Sequence, residues 1–169
     1  RTRPGVFSWR ALDAGTRALL EALPVRATDR VLDVGAGAGV IGLTAARRAR
    51  HGRVTMVDVD YVVHQCAQEN IRTNGIANAE ALLGDGIRAV GAERYTLVAS
   101  NPPFHAGQAK SLTAAESFIR EARGVLEPGG ALVLVANRFL PYDRMMAQAF
   151  GHAETLVATP QYWVLLARK

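Results

Sequence analysis

Short apolar runs alternate with longer amphipathic stretches along this chain, and this alternation constrains its fold more than any other feature. Most of the runs are separated by segments long enough for a helix, which predicts right-handed crossovers between parallel strands. Near-continuous apolar strands favour a sheet that helices cover on both faces. The predicted strands are residues 30–34, 53–58, 79–83, 96–100, 131–136, 153–158 and 162–167, and the predicted helices are residues 40–50, 61–74, 112–126 and 143–150.

The last two predicted strands have only Thr159, Pro160 and Gln161 between them. This gap is too short for a helical crossover, so these strands are expected to pair as an antiparallel hairpin. The chain is therefore expected to have an α/β fold, with a mostly parallel seven-stranded sheet, a C-terminal antiparallel hairpin and helices on both faces. In such sheets ligands bind beyond the carboxyl ends of the strands, which is where candidate site residues are expected.

Composition excludes several classes of protein. With 169 residues and a hydrophobic fraction of 49%, the chain is expected to form one domain with a substantial core. No apolar run is long enough to cross a membrane, no signal peptide is visible, and a single cysteine, Cys66, excludes a disulfide framework. These features favour a cytoplasmic protein. All but two of the 20 Lys and Arg residues are arginine, which suits an RNA partner, although a bias in codon usage explains the excess equally well.

A glycine-rich loop follows the first predicted strand. Glycine at positions 35, 37 and 39 lets the backbone turn tightly and approach a ligand. A dinucleotide-binding loop of the G-x-G-x-x-G type would need glycine at position 40, which is Val40. A plain tight turn is the alternative to a cofactor site. The candidate cofactor-binding residues here are Asp33, Gly35, Ala36, Gly37 and Gly39.

Acidic residues follow the next two predicted strands. Asp58 ends the second strand and is expected to accept hydrogen bonds from two ribose hydroxyls, with Asp60 as the near alternative. Val59, between them, is included in the predicted cofactor site. The third strand leads to Asp85 and Gly86, where the acid is expected to bond an adenine amino group. A solvated strand-end acid or an ordinary Asp-Gly turn is the alternative in these positions.

The fourth predicted strand leads into the candidate catalytic residues Asn101, Pro102, Pro103 and Phe104. Two prolines remove two N–H donors, which leaves a corner of acceptors: the Asn101 side-chain oxygen and the Pro102 carbonyl. These acceptors suit a planar substrate with an NH₂ group, on which Phe104 would stack. Such a site aims the amine lone pair at an electrophilic carbon, which is mainly a problem of positioning. Asn101 is also predicted to contact the cofactor.

These motifs resemble those of known families. The glycine spacing resembles the first motif of class I S-adenosylmethionine (SAM) methyltransferases, and residues 101–104 resemble methyltransferases that act on amino groups of adenine, guanine, cytosine or glutamine. More closely, the chain is similar to the catalytic domain of the RsmC/RlmG-type rRNA guanine-N2 methyltransferases over nearly its whole length. The segments that carry this likeness are residues 4–8, 12–15, 31–40, 101–105, 111–112, 135–137 and 139–142.

The resemblance implies a Rossmann-like class I methyltransferase fold, SAM as methyl donor, and a guanine amine of ribosomal RNA, naked or in a subunit, as acceptor. It implies one domain over residues 1–169, with residues 1–29 as a cover segment and helix and residues 30–169 as the sheet core. The substrate candidates are Phe7 in the cover, His105, Arg138 and Tyr142. Family members usually have two related domains, so this chain, which begins with Arg1, is expected to be a catalytic half or a minimal relative.

Several alternatives stay open. The same chemistry suits adenine N6 or a protein glutamine, and an inactive SAM-binding or RNA-binding module is a non-enzymatic alternative. Val40 disfavours a nicotinamide dehydrogenase.

The histidines and Cys66 show no metal-ligand spacing, so no metal is expected. A basic cluster is expected to be a solvated helix end, with an RNA contact as the alternative. Its members are Arg47, Arg48, Arg50 and Arg53. The pattern does not indicate an oligomeric state.

Overall fold

A computed structural model describes Thr2, residues 11–102 and residues 109–169, with only the backbone described at 109–111. Within these ranges the strands are β1 (Arg30–Val34), β2 (Arg53–Asp58), β3 (Ala79–Leu83), β4 (Tyr95–Ser100), β5 (Leu126–Asn137), β6 (Glu154–Ala158) and β7 (Tyr162–Arg168). The helices are α1 (Ala14–Ala22), α2 (Val40–Arg48), α3 (Tyr61–Thr73), α4 (Ala109–Val125) and α5 (Tyr142–Phe150), with a short 3-10 helix at Gly86–Val90.

The strands form one seven-stranded sheet in the order β3-β2-β1-β4-β5-β7-β6. Strands β1 to β5 are parallel to one another, whereas β7 is antiparallel to both β5 and β6. The predicted mixed sheet and its C-terminal antiparallel hairpin are therefore confirmed. Because β1 and β4 are neighbours and the chain leaves them in opposite directions, their carboxyl ends flank the crevice in which α/β sheets bind ligands.

Strand β5 begins earlier than predicted. The sequence places Pro128, Gly129 and Gly130 in a loop before the strand, but the strand begins at Leu126 and its register with β4 shifts between Tyr95 and Leu97. Gly129 adopts a φ of 78° and its N–H donates to the Lys169 carbonyl at 2.9 Å. The Pro-Gly-Gly segment is thus an irregularity within a strand.

Helices cover both faces of the sheet, as predicted. On one face Leu32 of β1 shares a core cluster with Ile119 of α4 and Met146 of α5. On the other face the next residue back, Val31, shares a cluster with Leu19 of α1. Alternate residues of each strand point to opposite faces. Packing on both faces therefore fixes the strand ends from which the candidate site residues project.

Gly52 lies in the turn between α2 and β2, where two backbone segments pass close together. A Cβ atom there would overlap the carbonyl oxygen of Asp29, which accepts the Arg53 N–H at 3.1 Å. Because the obstacle is hydrogen-bonded backbone, we expect Gly52→Ala to lower the free energy of unfolding by about 2–3 kcal/mol in urea denaturation.

The matched control is Gly124→Ala near the end of α4. A Cβ there would meet nothing within 4 Å. This substitution should leave stability unchanged or raise it by up to about 1 kcal/mol, because alanine favours helix over glycine. Equal urea midpoints for the two variants would contradict the close approach at Asp29.

Candidate functional site

Asp33 in β1 is a fully buried carboxylate directly before the glycine loop. Its Oδ2 accepts the Gly42 N–H at 2.8 Å, whereas its Oδ1 has no hydrogen-bond partner among the described residues. Burial raises the pKa of Asp33 to about 7; the Gly42 hydrogen bond opposes this rise and the charge of Asp58 adds to it. A buried acceptor without a partner suits a cationic or N–H group of a bound molecule.

The glycine loop has a backbone that requires glycine. Gly35, Gly37 and Gly39 have φ values of 70°, 57° and 84°, in the left-handed region that other residues rarely adopt. The N–H groups of Gly35 and Ala36 donate to the Val57 carbonyl at 2.9 and 3.0 Å. A Cβ at position 35 or 37 would meet nothing within 4 Å. The loop is therefore fixed to β2 and has open space over its first two glycines.

Asp58, at the end of β2, contacts this loop directly. Its Oδ2 accepts the Gly37 N–H at 2.9 Å, and its Oδ1 accepts the Asp60 N–H at 3.1 Å. The alternative acid, Asp60, caps α3 instead, because its Oδ1 accepts two N–H groups of the first turn at 2.7 and 3.1 Å. Val59 has a 73% exposed side chain beside Asp58. Asp58 therefore contacts the glycine loop directly, whereas Asp60 stabilises the first turn of α3.

Asp85 and Gly86 follow β3 at the same edge of the sheet. Gly84 donates its N–H to the Asp58 carbonyl at 3.0 Å, which holds the end of β3 beside Asp58. The Asp85 carboxylate is exposed and lies 3.9 Å from Arg88 Nη1. Gly86 has a φ of 53° and begins the short 3-10 helix. This acid is therefore near the other motifs but points into solvent.

Asn101 and Pro102 follow β4, next to the loop that follows β1. Ser100 Oγ donates to the Val34 carbonyl at 2.8 Å, which fixes the ends of the two strands together. Asn101 Nδ2 donates to Thr16 Oγ1 at 2.8 Å and to Asp13 Oδ2 at 3.2 Å, both at the start of α1. The amide nitrogen is thus directed towards α1, and the acceptor Oδ1 is the opposite branch of the planar amide.

The comparison that decides the family covers nearly the whole chain, because residues 1–166 match the family described as the methyltransferase small domain. This chain belongs to that family. Other predicted residues of this methyltransferase small domain, namely Phe7, Pro103, Phe104 and His105, lie outside the described residues.

Curated relatives of this methyltransferase small domain are similar along its length. "Ribosomal RNA small subunit methyltransferase C" of Escherichia coli O6:K15:H31 is 37% identical over 167 residues, which are 99% of this chain and 48% of the relative. The protein of the same name from Chromohalobacter salexigens is 42% identical over 172 residues, which are 99% of this chain and 50% of the relative. The chain therefore spans about half the length of these relatives.

Solved structures agree with the fold. The T. thermophilus 16S rRNA N2 G1207 methyltransferase (RsmC), solved with AdoMet and guanosine, is 35% identical with a TM-score of 0.88, over 99% of this chain and 46% of that chain. A Pyrococcus furiosus methyltransferase has a TM-score of 0.80 over 100% of this chain and 87% of that chain, and at 18% identity it shows the fold alone. The resemblance to RsmC-type enzymes and the Rossmann-like methyltransferase fold are confirmed.

Two predicted substrate residues of the methyltransferase small domain have different environments. Arg138, just after β5, is exposed; its guanidinium carbon lies 5.3 Å from the Trp163 ring centroid and its Nη1 donates to the Thr159 carbonyl at 3.3 Å. Tyr142 is only 6% exposed, and burial raises the pKa of its hydroxyl. Its side chain belongs to the core cluster that includes residues of α4 and α5, so the structure shows it in packing, and its contact with RNA stays a prediction.

The basic cluster is largely engaged within the chain. Arg48 donates to the Leu23 and Leu20 carbonyls at the end of α1, at 2.8 and 3.0 Å. Arg47 donates to Asn74 Oδ1 at 2.8 Å, and Arg53 pairs with Glu80 at 3.0 Å. All four arginines of the cluster are exposed, as predicted for a solvated helix end, and three of them also bond to neighbouring elements.

Sequence reasoning missed Asp13 and Thr16 as parts of the site. Asp13 is the N-cap of α1, because its Oδ2 accepts the Thr16 N–H at 2.9 Å. An aspartate before an apolar helix is a recognisable capping signal, but that signal does not indicate contact with a residue after β4.

Among the described residues there is no group of three or more His, Cys, Asp or Glu that could hold a metal. Over the same part of the chain, no helix is long and apolar enough to span a membrane.

Proposed function

We propose that this chain is the catalytic half of a SAM-dependent methyltransferase that methylates N2 of a guanine in ribosomal RNA. The observation that carries the proposal is the meeting of two motifs at one sheet edge. The glycine loop bonded to Asp58 follows β1, and the oriented amide of Asn101 follows the adjacent β4, whose Ser100 pairs with Val34. Ribosomal RNA as substrate is consistent with a cytoplasmic location.

The described residues fit SAM. Its methionine part carries an ammonium group, which suits the unpartnered Asp33 Oδ1, and the open space over Gly35 and Gly37 leaves room beside the loop. Asp58 keeps acceptor capacity for ribose hydroxyls, since each carboxylate oxygen has more than one lone pair. Exposed Val59 would provide an apolar surface for adenine, with Asp85 and Gly86 at the adjacent strand end. SAM supplies an electrophilic methyl carbon.

The chain's own contribution to the reaction is to position the amine. Asn101 Oδ1 and the Pro102 carbonyl would accept the two N–H groups of the guanine amine and fix its plane. The nitrogen lone pair would then be aimed at the methyl carbon. As the N–C bond forms, the methyl–sulfur bond would break with its electron pair going to the sulfur, and the amine proton would be released to solvent. No strong base is needed before attack, so most of the rate comes from orientation. Phe104 is proposed to stack on the base.

The test offers the full chain methyl-labelled SAM together with undermethylated small and large ribosomal subunits and their naked RNA. Digestion of the RNA then identifies the labelled nucleoside. Label in N2-methylguanosine supports the proposal, and the labelled subunit narrows the target. Label in N6-methyladenosine or in a protein glutamine replaces the proposed acceptor. A chain that does not bind SAM in a direct titration would overturn the cofactor assignment as well.

A further inference from the structure

We propose that Asp13 and Thr16 are positioning residues that fix the Asn101 amide with its oxygen towards the substrate. The inference rests on the proposed function, because it concerns the amide that would accept the guanine N–H group. Orienting Asn101 would be a role of these two residues in addition to the N-capping of α1 by Asp13.

Three polar side chains form a small network here. Asp13 Oδ2 accepts three hydrogen bonds: from the Thr16 N–H at 2.9 Å, from Asn101 Nδ2 at 3.2 Å and from Thr16 Oγ1 at 3.3 Å. Thr16 Oγ1 accepts from Asn101 Nδ2 at 2.8 Å. Residues more than 80 positions apart in the sequence are therefore joined at one point, beside the end of β4.

The direction of every bond in this network follows from Asp13. A carboxylate has only acceptors, so the groups that face it must be donors. The Thr16 hydroxyl therefore directs its hydrogen to Asp13 and its lone pair to Asn101. Rotating the Asn101 amide by half a turn would set its oxygen against the Asp13 carboxylate oxygen, acceptor against acceptor, and would remove both hydrogen bonds that Nδ2 donates. A single amide orientation follows, with Nδ2 towards α1.

The start of α1 is held firmly enough to impose this orientation. Thr16 is 8% exposed and Leu19, one turn later, is completely buried. Gly15 permits the close packing, since a Cβ there would lie 3.1 Å from Asp13 Oδ2 and 3.3 Å from Val135 Cγ2 of β5. The network is thus built into the contact between α1 and the sheet.

Two matched pairs of variants separate orientation from helix capping. Asp13→Ser keeps an N-cap oxygen but is too short to reach Asn101, whereas Asp13→Asn keeps both the cap and an acceptor at full length. Thr16→Val keeps the volume and removes the hydroxyl, whereas Thr16→Ser keeps the hydroxyl. Asp13→Ser and Thr16→Val should lower kcat about tenfold, and the conservative partners should stay within about threefold of the unchanged chain.

The accompanying readouts exclude a merely structural effect. The Kd for SAM and the Tm of all four variants should stay close to those of the unchanged chain, so that kcat alone separates the members of each pair. A kcat that is unchanged in Asp13→Ser and Thr16→Val would overturn the proposal. So would equal losses in Asp13→Ser and Asp13→Asn, or a loss of SAM binding that parallels the loss of kcat.

A spectroscopic measurement tests the orientation without activity. The side-chain NH₂ signals of Asn101, assigned by their absence in Asn101→Ala, should exchange slowly with solvent in ¹⁵N spectra of the full chain. Exchange should accelerate about tenfold or more in the double variant Asp13→Ser with Thr16→Val, because both acceptors are lost. If the unchanged chain methylates no guanine, the proposed function fails, while the exchange rates still decide the orientation. Rapid exchange of the Asn101 NH₂ group in the unchanged chain would overturn the proposed amide orientation.

Discussion

Replacing Asn101 with alanine is expected to lower the rate of methyl transfer by about 100-fold or more, as removal of a preorganised hydrogen-bonding group from an active site typically does. The substitution removes the proposed acceptor of a guanine N–H and with it the alignment of the lone pair. Asn101 is one predicted cofactor contact among several, and the glycine loop and Asp58 bond each other independently of it, so the Kd for SAM should rise by no more than about tenfold, less than the rate falls. Single-turnover transfer and SAM titration measure the two quantities.

A second asparagine provides the control for this experiment. Asn78 also donates through Nδ2, to the Ala46 and Ala49 carbonyls at 3.1 and 2.7 Å, but it lies at the start of β3 away from the proposed acceptor site. Asn78→Ala should lower the Tm and leave kcat unchanged, because it removes bonds to the end of α2 only. Methyl transfer that survives Asn101→Ala would show that the catalytic assignment is wrong.

The strands nearest the site could be predicted because their signals are local. Strands β1, β2 and β3 have the predicted bounds, since each is a short apolar run between turn-forming residues. The hairpin of β6 and β7 follows from the short gap at residues 159–161. The position of β7 between β5 and β6 depends on pairing between distant segments, and the Pro-Gly-Gly sequence at residues 128–130 favours a loop locally although β5 continues through it.

The site was partly predictable for a similar reason. The approach of Asp58 to the glycine loop follows from the rule that carboxyl ends of parallel strands share one edge. The N-cap at Asp60 has a local signal that the ribose prediction overlooked. By contrast, nothing near Asp13 in the sequence indicates that it contacts Asn101, and the burial of Tyr142 depends on how α5 packs against the sheet. The cofactor and catalytic roles remain predictions for the experiments above.

Replacing Asp33 with asparagine is expected to stabilise the cofactor-free protein at pH 8 while weakening its binding of SAM. Burial raises the pKa of this carboxyl from 3.8 to about 7, so the folded chain retains its proton at pH values where the unfolded chain has released it. Between these values the free energy of unfolding therefore falls as pH rises, by about 1.4 kcal/mol per pH unit from this group. The penalty is absent below pH 3.8 and complete above about pH 7.

Asparagine removes this titration but introduces a cost of its own. Its oxygen can keep the Gly42 hydrogen bond, while its NH₂ group would take the buried place of the unpartnered Oδ1, where burying an unpaired amide costs about 1–3 kcal/mol. Against a full penalty of about 4 kcal/mol for the ionised carboxyl, the net gain at pH 8 is about 1–3 kcal/mol. The gain should shrink by about 2–3 kcal/mol at pH 5, where the folded unchanged chain keeps its proton.

Urea denaturation at pH 5 and pH 8 measures the difference between variant and unchanged chain, which isolates this one group. The Kd for SAM should rise about tenfold, since an amide N–H in place of the Oδ1 acceptor repels an ammonium group. Asp29→Asn is the control, because both Asp29 carboxylate oxygens have partners, the Arg26 N–H at 2.7 Å and Thr96 Oγ1 at 2.9 Å, and the change should destabilise the chain. An Asp33→Asn variant that is less stable than the unchanged chain at pH 8 would show that burial of the ionised Asp33 carboxylate does not lower the free energy of unfolding. If Asp33→Asn instead raises stability at pH 8 and weakens SAM binding, the burial of Asp33 serves cofactor binding and not the stability of the fold.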